Sequence, residues 1–272
     1  MTVIPLTGHG GAVLEYNARP RLAPLRHTLV LSRRSLLKLR RTPEQFFDVT
    51  LQPIVFLGMF VYLFGGAVSG STGAYLQFVL PGLLLQNVLF STVAIGVNLH
   101  DDVEKGVFDR FRSLPVNRSA PLVGAVLAEV VRYASSIAVI LATGTIMGFR
   151  IHTGPVQALG AVLLTLTFAL CICWISVFVG MVARTSGAVQ GISFLITFPL
   201  TFLASTFVPT NTLPGWLQAF VHVNPINHMI EALRGLLVGG PVAGPVLWSL
   251  GWSAGLLAVF APLAVWAYRR HT

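Results

Sequence analysis

Long stretches of this chain carry no charged side chain, and this restricts its fold more than any other feature of the sequence. Such stretches cover residues 49–100, 133–149, 151–183, 185–230 and 235–268. A helix needs roughly 20 mostly apolar residues to cross a bilayer. Only 10% of the residues are charged and 54% are hydrophobic, whereas soluble domains carry about 25% charged residues. The sequence therefore predicts an all-α membrane protein that crosses the bilayer several times.

Six transmembrane helices are predicted, at 51–69, 75–98, 121–148, 156–183, 187–207 and 246–268. The first charge-free stretch is long enough for two of them, and the turn-forming sequence GGAVSGSTG at 65–73 divides it. Three Gly-x-x-x-Gly pairs, at 144/148, 187/191 and 251/255, predict close approach of helices. We divide the chain into an N-terminal tail, residues 1–48, and a transmembrane domain, residues 49–272.

The basic residues lie almost entirely on one side of these predicted helices. If the N-terminus is cytoplasmic, 15 of the 18 lysines and arginines face the cytoplasm, and Arg132 lies within a span. Cytoplasmic loops are enriched in Lys and Arg. The excess of Arg over Lys, 16 to 2, is typical of a bacterium with a GC-rich genome. We therefore predict a multi-pass protein of the bacterial cytoplasmic (inner) membrane with both termini in the cytoplasm. Its net charge of +9 indicates contact with anionic membrane lipids and no nucleic-acid partner.

An amphipathic helix is predicted before the first span, in residues 24–41. At 100° per residue, Leu25, Leu29, Leu36 and Leu39 share one face, and basic side chains occupy the opposite face. A helix of this kind lies in the membrane interface with its leucines in the acyl boundary. Two roles are open for it: simple anchoring of the chain, or guiding a substrate or contacting a cytoplasmic partner.

Charge is most concentrated in the loop between the second and third spans. Residues 99–118 hold eight of the 27 charged residues. Acidic residues begin this loop and basic residues end it, which suits a helix dipole. An apolar stripe at helical spacing runs through its middle: Val107, Phe108, Phe111 and Leu114. We predict a short amphipathic helix that offers a rigid handle to a soluble partner, because a solvated connector would not need the two phenylalanines.

Polar residues within the predicted spans form a second set of candidates. Glu129 and Arg132 are three residues apart and therefore share a helix face. They either neutralise each other as a buried ion pair or line a substrate path. Gln86, Asn87 and Gln190 either line that path or join neighbouring helices by hydrogen bonds.

The segment between the fifth and sixth spans, residues 208–245, is long yet almost uncharged. It contains two short helical patterns, and in the second Asn224 is a candidate cap and Pro225 suits the first turn. We predict a re-entrant helical hairpin that dips into the outer leaflet, with His228, Glu231 and Arg234 on one face. Two candidate ligands, His228 and Glu231, are too few for a metal site, and we expect a structural network instead. The candidate residues of this hairpin are Pro209, Trp216, Pro225, His228, Glu231 and Arg234.

Two segments carry a resemblance to a known family. EKGVFDRFRSLPVNRSAPLVGAVLAE, residues 104–129, resembles the coupling region of ABC-2 type transporter permeases. VPTNTLPGWLQAFVHVNPINHMIEALRGLLVGGP, residues 208–241, is similar to the daunorubicin-resistance-type (DrrB-like) branch of that family. The resemblance implies that the charged loop is the coupling helix, which docks on an ATPase subunit. The residues to which it assigns coupling are Glu104, Gly106, Phe108, Phe111, Arg112, Leu114 and Pro115.

The same resemblance implies a non-catalytic permease subunit of an exporter. Its expected partners are two ATPase subunits, which bind ATP and Mg, and a second permease chain, identical or different. No cofactor is expected in this chain, which has no Gly-x-x-x-x-Gly-Lys-Ser/Thr motif for phosphate binding.

A hydrophobic or amphipathic substrate, a drug or a lipid, is expected to enter from the membrane. The alternative within the family is a polysaccharide or glycolipid exporter, which a long aromatic-lined channel would favour. The predicted spans are not notably aromatic on one face, which favours a drug or lipid. A proton-coupled secondary transporter would use several carboxylates within its spans. In the predicted spans of this chain only Glu129 is acidic. A membrane-embedded enzyme would need a cluster of catalytic groups.

Overall fold

The computed structural model describes residues 43–106 and 120–271, and within these ranges the regular secondary structure is helical, with no β-strand. The predicted interfacial helix at 24–41 and the middle of the charged loop lie outside the described residues. A 3₁₀ turn, Thr210–Thr212, precedes the seventh helix. The helices are α1 (Pro43–Ser69), α2 (Thr72–Ser91), α3 (Val93–Glu104), α4 (Ala120–Ile146), α5 (Pro155–Val182), α6 (Ser186–Phe202), α7 (Gly215–Val223), α8 (Pro225–Leu237) and α9 (Ala243–His271).

Helices lie over all six predicted spans, but their lengths differ from the predictions. α6 has 17 residues and is therefore about 25 Å long, against roughly 30 Å for the hydrocarbon core of a bilayer. The fifth predicted span, 187–207, extends too far, because the helix ends at Phe202. Five stretches of the described chain are long and apolar enough to cross a membrane: Leu51–Ser69, Thr72–Glu104, Leu122–Ile146, Pro155–Val182 and Ala243–Tyr268.

The second predicted span is longer than expected. α2 and α3 follow each other with an interruption at Thr92, and together they cover 33 residues. α3 therefore continues into the charged loop, and Asp101, Asp102 and Glu104 form its last turn. Asp101 and Glu104 make side-chain contacts at this end of α3, as described below, and the segment after Gly106 that carries the rest of the predicted coupling helix lies outside the described residues. Beyond α3 the chain turns at Gly106, whose φ of 64° suits glycine.

α2, α3 and α5 form the centre of the bundle. In their most apolar 18-residue windows, 72% of the α2–α3 residues and 61% of the α5 residues are buried, against 22% in α1 and 17% in α9. Buried residues of α2, such as Leu80 and Leu84, belong to one core with Phe168 of α5 and Leu233 of α8. The outward faces of α1 and α9 carry exposed apolar side chains, which suits contact with lipid.

A close backbone contact joins α3 to α5. A Cβ atom placed on Gly96 would lie 2.3 Å from the carbonyl oxygen of Ser176, and a Cβ atom on Gly180 would lie 2.4 Å from the carbonyl oxygen of Gly96. Side chains at either position would therefore force the helices apart. Small residues allow helix backbones to approach in this way within a membrane.

Within the described part of this single chain, most of the predicted Gly-x-x-x-Gly positions do not lie against another helix. A Cβ atom at Gly144 would meet Leu80, so that glycine does allow close packing. The contact between α3 and α5 instead uses one glycine from each helix, and no spacing within a single helix reveals such a pair. No atom lies within 4 Å of a Cβ placed on Gly148, Gly187, Gly191, Gly251 or Gly255.

Gly180→Ala is expected to destabilise the protein. Overpacking against the backbone of Gly96 costs about 1–3 kcal/mol, which is of the order of 5 °C in melting temperature. The measurement is thermal unfolding of the purified full-length chain in detergent. Gly191→Ala is the matched control, because its site has open space and alanine favours the helix by up to about 1 kcal/mol. Equal melting temperatures for the two variants would contradict the backbone contact.

Candidate functional site

A group of polar side chains joins α4 to the break between α2 and α3. Arg132 Nη2 lies 2.5 Å from Glu129 Oε2 and also donates to the carbonyl oxygen of Ser91. Asn87 Nδ2 donates to Ser136 Oγ at 2.6 Å. We call these five residues, Asn87, Ser91, Glu129, Arg132 and Ser136, the polar junction.

The break at Thr92 explains why a cation is needed there. Thr92 turns its own N–H and hydroxyl back to the carbonyl oxygen of Leu89, at 3.0 and 2.7 Å. Carbonyl groups at the end of a helix lack intrahelical donors, and the interior of a bilayer supplies no water. The guanidinium of Arg132 provides a donor for Ser91, while Glu129 balances its charge. This geometry favours the packing role of Glu129 and Arg132 over the role of lining a substrate path.

The three candidate amides have different surroundings. Asn87 belongs to the polar junction and joins α2 to α4, which is the interhelical role. Gln190 is exposed on α6. Gln86 is only 3% exposed, yet neither its amide oxygen nor its amide nitrogen has a hydrogen-bond partner.

Gln86 faces a groove between α1, α2 and α4 with a volume of about 20 Å³, which is room for a water molecule. We call it the α1–α2 groove. Its lining combines apolar side chains with a few amides, and Gln52 of α1 is exposed on it. The lining residues are Gln52, Pro53, Phe56, Leu57, Leu83, Gln86, Asn87, Phe90 and Ile140.

A continuous series of phenylalanine rings begins and ends at this groove. Consecutive ring centroids are 4.2–5.9 Å apart, within the range of favourable aromatic contacts. The expectation that no span is aromatic on one face is therefore wrong, because α6 alone contributes three rings at intervals of four residues. In order of contact, this phenylalanine row is Phe56, Phe60, Phe207, Phe202, Phe198, Phe194 and Phe90.

The end of α3 is fastened to the neighbouring helices. His100 Nδ1 lies 3.0 Å from the carbonyl oxygen of Gly180 on α5, and Ser186 Oγ of α6 donates to Asp101 Oδ1. Glu104 and Lys105 each pair with a residue four positions earlier. Two members of the predicted coupling set therefore lie at the C-terminal end of α3 and just beyond it: Glu104 and Gly106. The remaining members, Phe108, Phe111, Arg112, Leu114 and Pro115, lie outside the described residues.

The irregular backbone after α6 is buried. Its carbonyl and N–H groups form hydrogen bonds with side chains of α8 and of the residue that caps α8. Asn224 Nδ2 donates to the carbonyl oxygens of Leu200 at 2.7 Å and Leu203 at 3.1 Å, which replaces the bonds of a further helical turn. Asn227 Oδ1 accepts from the N–H of Ser205 at 3.1 Å. These contacts explain why α6 ends early. Asn224 also caps α8 through the N–H of Ile226, as predicted.

Arg234 makes the most extensive contacts in this region. Its Nε donates to the carbonyl oxygen of Phe78 at 3.2 Å, and its two terminal nitrogens donate to the hydroxyl and carbonyl oxygens of Ser205. Its guanidinium carbon lies 3.8 Å from the centroid of the Phe78 ring. Burial lowers the pKa of Arg234 to about 10, partly offset by Glu231, so the side chain remains cationic at neutral pH.

The three ionisable candidates of α8 do not form one site. His228 stacks on Trp248 of α9 with centroids 5.5 Å apart, whereas Glu231 accepts from Asn227 at 2.9 Å. The three side chains do lie on one face of α8, since each is partly exposed while their neighbours on the helix are buried, but each has its own partner. Pro225 begins α8, Pro209 precedes the 3₁₀ turn, and Trp216 is 73% exposed on α7. Within residues 43–106 and 120–271, no group of three or more His, Cys, Asp or Glu side chains is arranged to hold a metal.

Substitution of either Glu129 or Arg132 alone is expected to destabilise the protein strongly, because the other charge then remains buried without its partner. Arg132→Gln leaves a buried carboxylate without its cation, at about 3–5 kcal/mol. In a double-mutant cycle with Glu129→Gln, measured by denaturant unfolding, the double variant should be more stable than the sum of the single effects by about 1–3 kcal/mol. Simple additivity of the two substitutions would contradict a structural ion pair.

Comparison with known proteins gives a consistent result. Residues 26–238 match the family described as ABC-2 type transporter. The chain is 41% identical over 266 residues to the daunorubicin resistance ABC transporter permease protein DrrB1 of Streptomyces coeruleorubidus, covering 97% of this chain and 94% of that one. It is 28% identical to the probable doxorubicin resistance ABC transporter permease protein DrrC of Mycobacterium tuberculosis, covering 89% and 88%. The inner membrane transport permease YadH of Escherichia coli is 25% identical over 67% of this chain and 72% of its own. With these matches and its apolar helices, the chain belongs to the ABC-2 type transporter family.

Proposed function

We propose that this chain is the permease subunit of an ATP-driven exporter that moves hydrophobic or amphipathic drugs or lipids across the bacterial cytoplasmic membrane. The observation that carries the proposal is the 41% identity to a daunorubicin resistance permease over nearly the whole chain. A second relative is named for doxorubicin resistance. Both names support a drug-like substrate and export as the direction of transport.

The proposed topology has six spans, with α6 as the fifth, and both termini in the cytoplasm. The distribution of basic residues supports it, since 15 of the 18 fall on the cytoplasmic side. α7 and α8 then form the external re-entrant hairpin. In support of this, α8 is largely buried, and its polar side chains satisfy the irregular backbone after α6. Non-helical backbone at membrane depth is tolerated where protein groups bind it in this way.

The proposed assembly contains two permease chains and two ATPase subunits. One six-span chain does not enclose a pathway, so a second, identical or different, completes it. ATP and Mg are bound by the ATPase subunits, and this chain supplies no residue to the hydrolysis. Glu104, Gly106, Phe108, Phe111, Arg112, Leu114 and Pro115 form the surface that the ATPase contacts.

The contacts of α3 support a specific route for the coupled movement. A force on the loop after Gly106 acts first on α3, whose end is fastened to α5 through His100 and to α6 through Asp101. These three helix ends therefore move together. The break at Thr92 allows α3 to change its angle relative to α2, while the polar junction keeps the broken backbone hydrogen-bonded. Substrate then passes toward the external hairpin.

A polysaccharide or glycolipid exporter is the second candidate, and the phenylalanine row favours it. Rows of aromatic side chains can bind sugar rings as well as drugs. The names of two relatives, which refer to daunorubicin and doxorubicin resistance, favour a small amphipathic substrate over a long polymer.

The coupling role is tested by co-purification from native membranes in mild detergent. An ATP-binding subunit should elute with the wild-type chain, and Phe108→Ala with Phe111→Ala should reduce its recovery at least about tenfold, because aromatic anchors typically contribute 2 kcal/mol or more each. The matched control is Trp216→Ala with Phe220→Ala, which removes two exposed aromatic side chains from α7 at the other end of the bundle. This control should retain the subunit.

Two results would contradict the proposed function. A wild-type chain that elutes alone, with transport independent of nucleotide, would point to secondary transport with Glu129 and Arg132 as its working site. Retention of the ATPase and of coupled transport in the Phe108/Phe111 variant would show that this apolar stripe is not the docking surface.

A further inference from the structure

We propose that the α1–α2 groove binds one ordered water molecule, which hydrogen-bonds the amide of Gln86 and links α2 to Gln52 of α1. The ligand is water itself, taken from the cytoplasmic headgroup region of the membrane. The inference concerns the contact between two helices of this chain, and it does not depend on which substrate the permease moves.

The first argument is the state of Gln86. Only 3% of this residue is exposed, and within the described residues neither atom of its amide has a hydrogen-bond partner. Buried polar groups in proteins are nearly all bonded, either to protein atoms or to ordered water. The neighbouring amide of Asn87 follows this rule, since its Nδ2 donates to Ser136 Oγ at 2.6 Å. An unpaired buried amide costs about 1–3 kcal/mol, so a small molecule that both donates and accepts stabilises Gln86.

The second argument is the size and lining of the groove. Its volume is about 20 Å³, which exceeds the roughly 10–15 Å³ that one water needs. A ring system or a lipid headgroup is far larger and does not fit. A buried water typically makes about three hydrogen bonds. The groove offers three amide side chains as partners, those of Gln52, Gln86 and Asn87.

The chemistry of the amide selects water among the occupants of this size. An ion of either sign satisfies only one end of the Gln86 amide, because a cation binds the oxygen and an anion binds the N–H groups. A methyl group of a lipid fills space but leaves both ends unbonded. Water accepts from the nitrogen of one amide and donates to the oxygen of another, so it bridges the side chains that line the groove.

The position of Gln52 provides the route of entry. Gln52 is exposed, and it is the second residue of the apolar stretch Leu51–Ser69. In the proposed topology this stretch begins at the cytoplasmic surface. Water at the level of the headgroups therefore reaches the groove without crossing the hydrocarbon core.

A water in the groove gives α1 a polar contact with α2. The other contacts of α1 in this region are apolar, since Leu57 and Val61 belong to the core and Phe60 stacks on Phe207 with ring centroids 4.4 Å apart. Apolar contacts have no preferred direction, and a bridging water exchanges its partners at little cost. α1 is therefore able to shift along α2 while Gln86 stays hydrogen-bonded.

The test is hydroxyl-radical footprinting by X-ray radiolysis of the purified full-length chain in lipid nanodiscs. Radicals formed from an ordered water modify the side chains beside it, and Phe56 and Phe90 line the groove. Both should be modified in the wild-type chain, whereas Phe168, which is fully buried in the apolar core, should not. Gln86→Leu removes hydrogen bonds to the water and should lower the modification of both rings at least about threefold. Gln190→Leu, at an exposed position of α6, is the matched control and should leave it unchanged.

Two results of this experiment would overturn the inference. One is modification of Phe56 and Phe90 in the wild-type chain that does not exceed that of Phe168, since a dry groove yields no radicals. The other is equal modification in the wild-type chain and in Gln86→Met, a second variant that keeps a flexible side chain should Gln86→Leu not fold. A density map of the wild-type chain in nanodiscs should show a water peak within hydrogen-bonding distance of the Gln86 amide. An ordered Gln86 without such a peak would contradict the proposal as well.

Discussion

The backbone contact between Gly96 and Gly180 is the interaction on which the rest of the structure depends. It brings α3 against α5 so closely that His100 reaches the carbonyl oxygen of Gly180, one turn from the end of α3. The adjoining bond from Ser186 to Asp101 adds α6 to the same group. The chain leaves this group at Gly106 and enters the segment that, by the proposal above, docks on the ATPase. A movement imposed on that segment therefore reaches three helices together.

Breaks in helical structure are a second constraint, because a bilayer offers no water to the freed backbone groups. The chain satisfies the freed backbone groups in the same way at two helix breaks. Arg132 binds the carbonyl oxygen of Ser91 beside Thr92, and Arg234 binds Ser205 after α6. In both cases a carboxylate lies near the guanidinium. Glu129, Arg132 and Arg234 thus have structural contacts, whereas the amide of Gln86 and the hydroxyl of Ser193 are among the buried groups of the described residues without a hydrogen-bond partner.

The sequence predicted the helical class and the approximate positions of the five helices that are long and apolar enough to cross a membrane, because charge-free length is a direct consequence of the bilayer. It also predicted the cap at Asn224, which depends only on local backbone geometry. It failed where a feature joins distant segments. Gly96 and Gly180 are single glycines on separate helices, and the complete phenylalanine row combines α1, α2, α6 and the loop at Phe207. The spacing of Phe194, Phe198 and Phe202 on α6, by contrast, was a local signal that the sequence interpretation missed. The end of α6 was misplaced for the same reason, since the side chains that replace its last turn come from α8.

The central claim is that α3 and α5 move as one body when the ATPase acts, and distances between spin labels test it most directly. Labels at Asp102 on α3 and Arg184 just after α5 report on this pair, and labels at Asp102 and Leu51 report on α3 relative to α1. Both pairs are measured in the complete transporter, without nucleotide and with ATP trapped. The account predicts an unchanged distance between 102 and 184 and a changed distance between 102 and 51. A change between 102 and 184 as large as that between 102 and 51 would contradict it.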